Sequence, residues 1–216
     1  MSEWREQWTE SEIDALREQV AATMSEKRFL HTAAVEKMAA RLADVYAPEK
    51  KDLLRVAALL HDITKEYTAD QHKEICHAYG LSCTREDERS PKTFHARTAA
   101  AVIPDRYPVF ACPEVIDCVR WHTTGRSDMT LCEKLVYLAD YIDESRKFKD
   151  CVVLREYFWG AHPEQMSATE RLCHLDRTLV LSFDMTVRGL MEEGALVSSD
   201  TILARNDLLL SREKGE

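Results

Sequence analysis

The chain has 216 residues, 45% of them hydrophobic and 31% charged, enough for one globular domain with a sizeable core. Its 29 Lys and Arg face 38 Asp and Glu, a net charge of -9 with no long basic run, so a nucleic-acid polymer is not an expected partner. The polar, acidic start MSEWREQWTESEID lacks the marks of a signal peptide, and no stretch approaches the roughly 20 apolar residues that span a bilayer, so the expectation is a cytoplasmic protein with no membrane partner.

Taken in chain order, helical periodicity recurs and sustained two-residue alternation does not. Residues 11–22 read as a first helix. Ser25 is placed to cap a second, whose apolar positions Phe29, Leu30, Ala33, Ala34, Val35, Met38 and Leu42 share helical spacing until Ala47-Pro48 ends it. A third helix is expected over 49–66, almost wholly apolar from Val56 to Leu60, and a fourth over 69–79, stopped by Gly80. The polar run 82–92 reads as a loop, long enough to suggest a role at a site. Further helices are expected over 93–107, 113–122, 131–142 and 152–158. A long one covers 167–193 and ends at Gly194, and a short one starts at Ser199. The long helix could pack on the core or on a second subunit, which leaves a homodimer open. The expectation is an all-α single domain, with a core of about 25–160 and a helical extension of about 161–216.

The seven cysteines are odd in number and form no Cys-x-x-Cys pair, so neither a disulfide framework nor a thiolate zinc site is expected. Any metal should have nitrogen and oxygen ligands. The informative residues are polar groups that break apolar runs. His61 and Asp62 follow Val56-Ala57-Ala58-Leu59-Leu60, and Asp140 interrupts Leu135-Val136-Tyr137-Leu138-Ala139. An ionised carboxylate taken from water without a partner costs about several kcal/mol, so each needs a cation. An Arg or Lys would serve, and a shared divalent metal would satisfy both. Adjacent His61 and Asp62 can reach a common groove, and His31 lies on the preceding helix. His72, His77, His162 and His174 sit among polar residues and read as surface groups.

The order His31, His61-Asp62, Asp140 resembles the pattern that defines the HD superfamily. The blocks His31-Thr32, Ala57 through Glu66, His122-Thr123-Thr124-Gly125, Met129 through Arg146 and Thr201 through Asn206 further resemble the YqeK family of symmetrical bis(5'-nucleosyl)-tetraphosphatases, over nearly the whole chain. That resemblance implies an HD-domain helical bundle with additional C-terminal helices. It implies metal-dependent hydrolysis of diadenosine tetraphosphate to two ADP through a metal-activated hydroxide. It carries the metal ligands to His31, His61, Asp62, His95, His122 and Asp140. Extra histidines between the His-Asp pair and the last Asp imply two ions, with iron favoured and manganese, cobalt or zinc also suited to such ligands. The family usually has a small, Gly-Ala-containing stretch after the histidine matching His95, where this chain has Ala96-Arg97-Thr98-Ala99-Ala100. That change could alter substrate preference.

Asp62 is the expected bridging, catalytic carboxylate. Lys65, one helical turn beyond His61, is expected to stabilise phosphate charge as the second catalytic residue. Arg120, Thr123, Thr124, Arg126 and Arg146 are further phosphate-contact candidates. Lys134 and the rings of Trp121, Tyr137 and Tyr141 read as structural. The rival readings are another HD-type nucleotide phosphohydrolase or phosphodiesterase and, from a different class, a non-catalytic nucleotide-binding module.

Overall fold

The computed structural model describes residues 7–213; residues 1–6, which open the polar N-terminal stretch, and 214–216 lie outside the described part. Among the described residues there are eleven α-helices, three short 3-10 turns and no strand. No helix there is long and apolar enough to cross a membrane.

Local sequence sets most helix starts. Thr9 with Glu12, Thr68 with Gln71, Thr84 with Asp87, Thr130 with Glu133 and Ser167 with Glu170 each form a reciprocal cap that satisfies two otherwise orphaned amides. These caps open α1 (Glu10–Ala21), α4 (Ala69–Ala78), α5 (Arg85–Arg89), α8 (Leu131–Ile142) and α10 (Ala168–Glu192). Ser25 caps α2 (Glu26–Tyr46), as its position predicts.

The core is built around α3 (Lys51–Leu60), whose Leu53, Leu54 and Val56 through Leu60 are fully buried. Helices α1, α2, α7 (Pro113–Trp121) and α8 pack against it. Buried Glu36 of α2 receives Arg17 of α1 and Arg55 of α3, which ties these three helices together at their polar margin. Helix α6 (Pro91–Arg106) lies on α4 and α7. The C-terminal part, α9 (Lys149–Gly160), α10 and α11 (Ser199–Glu213), packs behind α8.

Several expectations need correction. The third helix ends at Leu60, not Glu66, and residues 61–66 form tight turns. The cause is local: the Ala58 carbonyl accepts the His61 ring at 2.6 Å, and Lys65 N–H bonds back to Asp62 in a three-residue turn. The 82–92 stretch is not all loop, because Thr84 nucleates α5 and Pro91 opens α6. The last helix is long, at 15 residues. His72 and His174 are buried, not surface groups: His72 meets the Thr98 hydroxyl at 2.8 Å, and His174 donates to the Phe158 carbonyl at 3.0 Å. Each shares the inward face of its helix with apolar residues three or four positions away or adjacent, Ile75 and Cys76 in one case and Leu175 in the other. His77 and His162 are exposed as expected. None of the seven cysteines is in a disulfide, and only Cys83 and Cys173 are exposed.

Gly125 anchors the turn after α7. Its φ is +65°, and an added Cβ would lie 2.8 Å from Phe183 of α10 and 3.0 Å from Ala204 of α11. Backbone strain and steric overlap therefore act together there. Gly125→Ala is expected to destabilise the fold by about 2 kcal/mol or more, measured by urea unfolding, whereas Gly194→Ala, with open space around its Cβ position, costs only the backbone strain.

Candidate metal centre

Five segments meet at one buried point. His31 comes from the second turn of α2, His61 and Asp62 from the end of α3, His95 from α6, His122 from the end of α7 and Asp140 from α8. All except His31 and Asp140 are at most 3% exposed. His31 Nε2 lies 2.9 Å from Asp140 Oδ1 and 3.8 Å from Asp62 Oδ2. His61 Nε2 lies 3.4 Å from Asp62 Oδ2 and 3.7 Å from Asp140 Oδ1. On the other side of Asp62, its Oδ1 lies 3.1 Å from His95 Nε2 and 3.8 Å from His122 Nε2. The arrangement contains two triads with ligand atoms within 4.8 Å of one another, His31-His61-Asp140 and His61-Asp62-His122.

Two ring orientations are fixed by helix ends. His61 and His122 are the C-cap residues of α3 and α7, where the last carbonyls lack amide partners. Each Nδ1–H donates to the carbonyl three residues back, Ala58 or Val119, at 2.6 Å, which turns Nε2 inward. The negative ends of two helix dipoles thus converge on the same point and favour a cation there. His61 Nε2 is buried and has no hydrogen-bond partner. An inward-facing lone pair with nothing to accept from fits a metal ion, as does the donor set of imidazole and carboxylate without thiolate.

The electrostatics hold Asp62, Asp140, His122 and His95 in ligand form. Burial would raise the Asp62 carboxyl, but His61 and then His95 outweigh it and keep it well below the usual range. Asp140 is likewise held low by Arg146 and His31 against the effect of burial. Burial, reinforced by neighbouring histidines, keeps the His122 imidazole neutral, and burial brings His95 down to about 4 despite Asp62. His31 goes the other way: against burial, Asp140 and Asp143 push it up to about 9.

The bland explanation of the buried carboxylates also holds in part. Arg28 Nη1 meets Asp62 Oδ2 at 2.8 Å, and Arg146 pairs with Asp140. The arginine pairing leaves the histidine geometry in place, because the same oxygens, Asp62 Oδ2 and Asp140 Oδ1, also face His31 and His61. Arg28 escaped the sequence reading although it sits one turn before His31, where the same helix face signals it.

The other expected residues divide. Lys65 Nζ lies 3.1 Å from His95 Nε2 and 3.9 Å from Asp62 Oδ1, inside the site, and burial lowers its pKa. Thr123 Oγ1 touches His122 Nε2 at 3.0 Å and His95 Nε2 at 3.3 Å. Thr124 instead donates to the Gly125 carbonyl. Arg126 is held by buried Glu133 at 2.7 Å, so its guanidinium braces the α8 cap. Arg120 lies over Trp121 and lines a separate cavity with Arg97, Thr124 and Ser199. Arg97 pairs with Asp87 of α5 at 2.6 Å, so its charge is turned away from the centre. Lys134 bonds Asp176 at 2.7 Å, and Tyr137 packs on Phe183 in the core.

An all-helical core that gathers His, His-Asp and Asp in this order defines a class. The HD domain family matches residues 28–145, more than half of the chain, and the chain belongs to that family. Within it the chain belongs to the YqeK-type branch, as its relatives indicate. It is 29% identical over 190 residues to the symmetrical bis(5'-nucleosyl)-tetraphosphatase of Bacillus subtilis, covering 88% of this chain and 94% of the relative. The same-named protein of Staphylococcus aureus is 27% identical over 88% of this chain and 91% of its own length. A solved structure from Clostridium acetobutylicum, an HD superfamily hydrolase described as involved in NAD metabolism, superposes with a TM-score of 0.78 at 30% identity. That match covers 95% of this chain and 98% of the other.

A pH dependence of metal uptake follows from His31. Its Nε2 must lose a proton to act as a ligand, and the metal-free group holds that proton up to about pH 9. A divalent ion added at pH 7 is expected to release about one proton, with apparent affinity rising up to tenfold per pH unit and levelling above about pH 9. Calorimetry in buffers of different ionisation enthalpy measures the proton count directly.

Proposed function

We propose that this chain hydrolyses diadenosine tetraphosphate symmetrically, using a divalent transition metal held by His31, His61, Asp62 and Asp140, with His95 and His122 on the far side of Asp62. The observation that carries this reading is His61 Nε2, a buried and unpartnered nitrogen shared by both ligand triads. The names of the curated relatives supply the substrate class. The position of Asp62, with one oxygen facing His31 and His61 and the other facing His95 and His122, supports a bridging role and a two-ion site.

When bound, the metal lowers the pKa of a water and offsets charge on the phosphoryl oxygens. The chain's own residues do the rest. Asp62 and Asp140 stay ionised, so their charge is available to the ion throughout the pH range of the reaction. Arg28 and Arg146 limit the repulsion between the two carboxylates and add cationic character at the mouth of the site. Lys65, half-withdrawn from water beside His95, is positioned to donate to a non-bridging phosphate oxygen as charge accumulates on it. His95 and His122 are neutral at pH 7 and cannot serve as general acids there.

A general acid is not required. Attack of water on one of the two central phosphorus atoms breaks its bond to the central bridging oxygen, which leaves on the other ADP. The leaving terminal phosphate has a second pKa of about 6, so it departs unprotonated near neutrality. Cations at the leaving oxygens, rather than a proton donor, are what the reaction needs.

The test is product chromatography on metal-loaded protein. ADP is expected as the sole product of diadenosine tetraphosphate, with NAD little affected. ATP plus AMP, or faster turnover of NAD than of the tetraphosphate, would overturn the assignment. His61→Ala and Asp62→Ala are each expected to abolish turnover, while Lys65→Met lowers kcat about 10²–10³-fold without removing the metal.

A further inference from the structure

His31 differs from the other inward-facing rings in how it is held. His61 and His122 cap helices, so free carbonyls of their own helices orient them. His31 lies inside α2, where the carbonyl three residues back is used by the helix itself. Its orientation must come from another segment.

That segment is the turn following α8. Asp143, which ends α8, is completely buried and outside the ligand set. Its Oδ1 accepts from the Ser145 amide at 2.8 Å and from the Ser145 hydroxyl. With its proton committed to Asp143, the Ser145 Oγ can accept from His31 Nδ1 at 3.3 Å. Asp143 Oδ2 itself lies 3.4 Å from His31 Nδ1 and 3.3 Å from Arg146 Nε, and it has no well-aligned hydrogen bond of its own. The turn is pinned from outside by Arg155 of α9, which donates to the carbonyls of Ile142, Asp143 and Arg146.

We propose that Asp143, acting with Ser145, is a positioning residue that seats His31 through Nδ1 and so aims Nε2 at the metal. The inference rests on the metal-centre reading above. A carboxylate behind a ligating imidazole fixes ring orientation and raises its basicity, and losing such a partner typically weakens metal binding about 10–100-fold. One segment thereby serves both faces of the ring, with Asp140 on Nε2 and the Asp143 turn on Nδ1.

The experiment measures zinc affinity by competition with a chromophoric chelator, together with the tautomer of His31 by nitrogen NMR of the zinc-loaded protein. Asp143→Asn is expected to weaken zinc binding about tenfold or more, with little change in the unfolding midpoint of the metal-free protein. Ser145→Ala, which buries no new polar group, is expected to weaken it by a smaller factor. Wild-type protein should show His31 protonated at Nδ1 and metal-bound at Nε2. Unchanged zinc affinity in both variants, or a wild-type His31 protonated at Nε2, overturns the proposal. The NMR result holds whether or not Asp143→Asn folds. If wild-type protein binds no zinc, or binds it equally well after His61→Ala, the metal-centre reading itself fails.

Discussion

Two ionised carboxylates in the apolar centre of a helical bundle constrain everything around them. Asp62 and Asp140 sit where α2, α3, α7 and α8 converge, and their burial costs several kcal/mol each unless it is compensated. The compensation comes in layers. Arg28 and Arg146 approach from the open side, histidine nitrogens from the interior, and the remaining lone pairs point at a common space. Such a centre cannot be relaxed by one residue at a time, because removal of any cation leaves a buried charge exposed to its like neighbour.

The helices explain why the nitrogens are ready for an ion. Ending α3 at Leu60 and α7 at Trp121 leaves carbonyls unspent, and the next residue in each case is a histidine that takes one up. Helix termination and ligand orientation are therefore one event. The same economy appears at α8, whose last carbonyls are taken by Arg155 while its terminal Asp143 faces His31.

Much of this was legible in the sequence, and for physical reasons. The expected bounds of α8, 131–142, hold because the structure opens its apolar run with a Thr130–Glu133 cap and ends it at Asp143. His61, Asp62 and Asp140 stood out because polar groups in such runs need an explanation. What failed was anything set by contacts between distant segments. Arg28 and Asp143 are ordinary residues until α2 and the turn after α8 are brought together. Arg126 looked like a phosphate ligand until Glu133 claimed it, and His72 and His174 looked exposed because their sequence neighbours are polar while their helix faces are not. The shortening of α3 was hidden for a related reason: residues 61–66 contain no Gly or Pro to mark a stop, and the His61 ring bonds the Ala58 carbonyl at the helix end.

The seating of Gly125 has a consequence for what counts as a unit in this molecule. The stretch shared with the wider HD family stops at residue 145, yet the floor beneath the His122 turn is made by Phe183 and Ala204, and the brace behind the Asp143 turn is Arg155. A fragment cut at the family boundary would keep every ligand and lose the walls that hold two of them still. The C-terminal helices are in that sense not an appendage: they turn a portable motif into a centre that cannot be transplanted without its surroundings.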